Sequence, residues 1–73
     1  MDNDIKYIQN TLWVMYKDFQ SDFDVKKYTD QAASLCKKYK GNPILLNFCQ
    51  NLVISWTPII NEMAEQYRKG VGE

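Results

Sequence analysis

The stretch GNPILLNFCQNLVISWTPIIN, residues 41–61, carries no charge between Lys40 and Glu62. Leu45, Phe48, Cys49, Leu52, Val53, Trp56, Ile59 and Ile60 recur in it at helical spacing, and Met63 and Tyr67 continue the series. At 100° per residue these positions cover an arc of about 140°. An arc that wide meets two neighbouring helices. A surface helix normally turns Lys and Glu toward water on its other side. Here that side holds Asn47, Gln50, Asn51, Ser55 and Thr57. A helix apolar on one side and neutral on the other is expected to be covered on more than one side.

Upstream of this helix stands the clearest punctuation in the chain, Gly41-Asn42-Pro43. Gly41 suits a left-handed position after a helix end, Asn42 an N-cap, and Pro43 the first helical position. The helix before it carries Val25, Tyr28, Ala32, Leu35 and Tyr39 at spacings of three and four, with Cys36 at the edge of the stripe. Lys26, Lys27, Asp30, Lys37 and Lys38 fall on its other side. Before that, Ser21 to Asp24 reads as a turn with a capping box. A first helix presents Ile5, Ile8, Leu12, Met15 and Phe19, with Tyr16 beside them, behind a cap drawn from Asp2, Asn3 or Asp4.

The two turns fix which residues stand level. Reversal near residue 42 sets Cys36 against Cys49, Ala32 against Val53, and Tyr28 against Trp56. Reversal near residue 22 sets Tyr16 against Tyr28 and Leu12 against Ala32. Both sets use the same residues of the middle helix, so consistent core layers follow. The expected fold is an all-α, up-down-up three-helix bundle. It is one domain over residues 1–73, with helices at about 3–20, 24–40 and 43–69 and a frayed tail at 70–73. Pro58 is expected to kink the third helix, or to break it with Thr57 as a new cap. A third helix of roughly 40 Å beside a second of roughly 25 Å leaves an overhang that includes Met63 and Tyr67. That overhang either folds back or packs on a partner.

Bulk composition narrows the function classes. The chain has 73 residues, 45% of them apolar and 14% aromatic. That suits one small core filled by large rings. Its formal net charge is +0, so no long-range field steers it toward nucleic acid or an anionic membrane. Residues 1–4 show neither a basic region nor an apolar run, which predicts no signal peptide and a cytoplasmic location. The neutral stretch is long enough to span a bilayer. Its amides and two prolines argue against a membrane span.

There is no histidine, which removes the commonest general base and metal ligand. No phosphate loop, paired-carboxylate motif or nucleophile elbow is present. No catalytic, cofactor-binding or metal-binding residue is therefore assigned, and the chain reads as a non-enzyme that needs no cofactor. Glu65 fits an ion pair with Lys69. Cys36 and Cys49, set level by the hairpin, invite a disulfide or redox reading; in a reducing compartment they read instead as small buried hydrophobes.

What remains is surface. Tyr7 and Val14 form a second apolar stripe on the first helix. Ile54 sits amid the amide face of the third, beside Asn47, Asn51 and Pro58. Lone exposed apolar residues are common. Together with the overhanging Met63 and Tyr67, these eight form a candidate interface for a homodimer or another protein. Asn and Gln suit such a surface because they hydrogen-bond without the cost of desolvating a charge. The alternative is a nucleic-acid-binding regulator whose dimer aligns two lysine faces of the second helix. Against it, the helix after the turn, which reads bases in a helix-turn-helix, has no Lys or Arg before Arg68. An amphipathic membrane-surface module is the third class.

Overall fold

A computed structural model describes the backbone of residues 1–72 and the side chains of residues 1–70. Three helices follow one another: α1 (Asp2–Asp22), α2 (Val25–Lys37) and α3 (Pro43–Gly72). Each packs on both others, so the chain is an all-α three-helix bundle. The molecule is a rod of 46 × 16 × 16 Å. At 1.5 Å per residue, the 30 residues of α3 span roughly 45 Å, the whole length of the rod.

The core is formed by the three stripes. Ile8, Leu12, Met15 and Phe19 of α1 meet Tyr28, Ala32 and Leu35 of α2 and Leu45, Cys49, Ile60 and Ala64 of α3. Two levels of the expected layering are seen directly. Cys36 and Cys49 stand level, with sulfurs 3.1 Å apart. Tyr16 and Trp56 stand level, with ring centroids 5.1 Å apart. Ala64 joins this core although its small side chain gives a weak periodic signal. Ile59, counted within the apolar arc, lies at its edge and is about half exposed, at 49%.

The helix ends differ from the sequence expectations for local reasons. α1 starts one residue earlier than expected, with Met1 in the cap position and no capping side chain. Asp2 and Asp4 lie in its first turn, where their charge complements the helix dipole. At its other end α1 runs on to Asp22. Phe23 closes it in the left-handed region at φ 55°, and its N–H bonds the Phe19 carbonyl at 2.6 Å. Ser21 is therefore inside α1, where its hydroxyl donates to the Asp18 carbonyl at 2.6 Å. The capping box is absent. Asp24 caps α2 instead, accepting from the Lys27 N–H at 3.0 Å.

Regular α2 stops at Lys37, short of residue 40. Tyr39 N–H bonds the Cys36 carbonyl, Lys40 N–H bonds Lys37, and Asn42 N–H bonds Tyr39, at 3.0, 3.2 and 2.9 Å. These three-residue steps turn the chain without a left-handed residue, so Gly41 is not left-handed. Asn42 does cap α3, its side chain accepting from the Leu45 N–H at 3.2 Å.

α3 passes through Pro58 unbroken. Thr57 starts no new helix; its hydroxyl donates back to the Val53 carbonyl at 2.8 Å. Proline has no N–H, so position 58 gives the Ile54 carbonyl no hydrogen bond. The expected tail from residue 70 is instead the last turn of α3, as far as Gly72. Glu73 lies outside the described residues.

Candidate functional site

Four of the eight candidate residues come together. Asn47, Asn51, Ile54 and Pro58 are all exposed, and at 100° per residue they fall within about 60° on α3. Ile44 extends the row toward the turn. Ile44 and Ile54 are 66% and 67% exposed. Glu62 and Glu65 continue the same face beyond Pro58, and Glu65 pairs with Lys69 at 3.3 Å. The uncharged part of this face therefore has a defined end.

The other four candidates lie elsewhere. Met63 is half-buried against the core. The Tyr67 ring stacks on Phe23 of the same chain, with centroids 4.4 Å apart and planes 6° apart. The overhang is thus closed at its base by the turn between α1 and α2, while Tyr67 keeps 48% of its surface exposed. Tyr7 and Val14 are exposed, but they face α2 and not the α3 row.

There they line a groove of about 680 Å³ between α1 and α2, with Thr11, Gln31, Ser34 and Lys38 among its walls. Lys38 Nζ lies 4.4 Å from the Tyr7 ring centre and donates to its hydroxyl at 3.3 Å. The Lys38 and Thr11 hydrogen bonds hold the Tyr7 phenol below its ordinary pKa. The Gln31 Oε1 and the Tyr28 hydroxyl are buried without a hydrogen-bond partner. Burial accordingly pushes the Tyr28 phenol up. Sequence reasoning missed this groove. Its only signal was the Tyr7–Thr11–Val14 spacing, since the facing wall of Gln31 and Ser34 is too polar to register as a stripe.

The lysines of α2 are partly neutralised. Lys26 lies 3.2 Å from Asp30, and Lys27 lies 3.0 Å from Asp18 and 2.6 Å from Asp22. The Lys27 contact, then the Asp24 N–H, holds the Asp22 carboxyl below the usual range. Among the described residues, no group of three or more Cys, Asp or Glu is placed to hold a metal ion. α3 is long and apolar enough to cross a membrane, with a mean hydropathy of 1.3 over an 18-residue window of which 17% is buried. Comparison of the chain with protein-family models, curated proteins and solved structures finds no match.

Proposed function

We propose that this chain is a non-catalytic, cytoplasmic interaction module that self-associates through the outer face of α3. The observation that carries the reading is the exposed uncharged row Ile44, Asn47, Asn51, Ile54 and Pro58. Two such rows repel neither by charge nor by desolvating one. In a two-fold dimer each residue acts twice. Fully burying an exposed Ile side chain is worth about 1.5–3 kcal/mol; Ile54 is 67% exposed, so covering the rest contributes at most about 2–4 kcal/mol when counted in both copies. The amides supply directed hydrogen bonds at its flanks.

Light scattering on the eluting protein tests the reading. The wild type is expected to be a dimer and Ile54→Asp a monomer with unchanged helicity. A monomeric wild type overturns the proposal, as does a dimer that Ile54→Asp leaves intact. Flotation of a monomeric wild type with lipid vesicles would instead assign the apolar row to a membrane surface. The carboxylates beside Lys26 and Lys27 weigh against the nucleic-acid alternative, because they compensate the charge that phosphate contacts need. Binding of generic duplex DNA that weakens steeply with salt would restore it.

A further inference from the structure

On the opposite side of α3 from Ile54, the bundle holds two free thiols face to face. Cys36 of α2 and Cys49 of α3 have sulfurs 3.1 Å apart, with the Cys36 thiol donating. Both are free. They differ in access: Cys49 is fully buried at 0% exposure, while Cys36 is half-buried at the edge of the same seam. Burial, then the neighbouring Cys36 thiol, pushes the Cys49 thiol up to about 12. Burial and the retained proton thus keep solutes from Cys49, whose sulfur touches Cys36 and can give up its proton only to a group formed there. Only local opening would expose it to solvent.

We propose that Cys36 and Cys49 form an oxidation site, in which a hydroperoxide oxidises Cys36 and Cys49 resolves it into an intrachain disulfide. In the first step the Cys36 sulfur attacks hydrogen peroxide. The O–O bond breaks, Cys36 becomes a sulfenic acid, and the thiol proton leaves with the other oxygen as water. In the second step the Cys49 sulfur attacks the Cys36 sulfur. The S–O bond breaks, the S–S bond forms, and the hydroxyl departs as a second water with the Cys49 proton. Two thiols are oxidised and one peroxide is reduced. A sulfur separation of 3.1 Å needs a closure of only about 1 Å to reach bonding distance.

Two features favour resolution within the chain. The partner sulfur is already in contact with Cys36, whereas a second molecule must find a half-buried thiol. The bond also closes a short loop through the Gly41-Asn42-Pro43 turn, joining two helices that are antiparallel already. The inference is independent of self-association, because the thiols lie inside the seam and Ile54 outside it.

The test is hydrogen peroxide added to the folded, reduced full chain, followed by maleimide labelling and intact mass analysis. The expected product has lost two hydrogens, takes up no maleimide and gives one cross-linked Cys36–Cys49 peptide. Dithiothreitol restores two labelled thiols. Cys49→Ser is expected to stall at a Cys36 sulfenic acid that dimedone captures. Cys36→Ser is expected to slow oxidation of the remaining thiol at least about tenfold, because Cys49 then reacts only through local opening. The closed form is expected to melt roughly 10 °C or more above the reduced form. An interchain disulfide, a Cys36 sulfonic acid with Cys49 still free to label, an unslowed Cys36→Ser, or a closed form that melts no higher than the reduced one overturns the proposal.

Discussion

Phe23 and Tyr67 lie flat on one another, with ring centroids 4.4 Å apart and 6° between their planes. This contact joins the α1–α2 turn to the far part of α3 and holds Phe23 in a backbone region where a bulky residue is rare. A left-handed conformation costs a non-glycine residue roughly 1–2 kcal/mol. Phe23 tolerates it because its ring also meets Phe19 edge-on at 5.4 Å.

That balance orders three variants. Tyr67→Ala loses the stacked ring and is expected to cost about 1–2 kcal/mol. Phe23→Ala loses the ring but keeps the strain, whereas Phe23→Gly loses the ring and relieves the strain. Urea unfolding should therefore rank Phe23→Gly above Phe23→Ala by about 1 kcal/mol. The reverse order would show that the turn is not strained.

Gly41 gives a gain for the converse reason. It is not left-handed, and an added Cβ meets nothing within 4 Å. Gly41→Ala restricts the unfolded chain at no cost to the folded one and should stabilise by about 0.4–1 kcal/mol. A thermal melt that shifts downward contradicts this account of the turn.

Tyr28 buries a hydroxyl without a partner. Removing an unsatisfied group costs little, because no hydrogen bond is lost with it. Tyr28→Phe is expected to be neutral or to stabilise by up to about 1 kcal/mol. A loss larger than that in urea unfolding would mean the hydroxyl is bonded in solution.

Alkali should destabilise the fold through Cys49. Its thiol titrates at about 12 in the folded chain, against an ordinary value of 9.0. Between those values the folded state holds a proton that the unfolded state has released, so stability falls as pH rises. Burial raises Tyr28 and Tyr39 as well, which adds loss of the same sign above their ordinary value of 10.0. Under reducing conditions, the wild type should lose about 2 kcal/mol more than Cys49→Ala between about pH 8 and pH 10.5. Parallel curves for the two proteins would remove Cys49 as the cause.

The bundle was legible because two independent turns assigned the same α2 residues to the core. The Cys36–Cys49 and Tyr16–Trp56 levels came from that agreement. Helix ends were less legible. Ser21 and Asp24 are both good caps, and only the left-handed Phe23, held by its aromatic neighbours, decides for Asp24. Gly41 suggested a left-handed stop, but successive three-residue hydrogen bonds turn the chain first. Pro58 predicted a kink or a break, and α3 continues through it without a break. Of the interface residues, the α3 row was readable from spacing alone. The stacking of Tyr67 on Phe23 was not readable, because the reach of Phe23 across the turn leaves no periodic trace.

The exposed row of α3 repeats its spacing but not its residues. Ile44, Asn51 and Pro58 are seven apart, as are Asn47 and Ile54. A helix laid along it that slides two turns, roughly 11 Å, meets Asn51 where Ile44 stood and Ile54 where Asn47 stood. Spacing alone would leave the alignment ambiguous, but a slip of two turns sets amides against isoleucines. Pro58 occurs once along the row, so the sequence of side chains acts as an index mark that a single register matches.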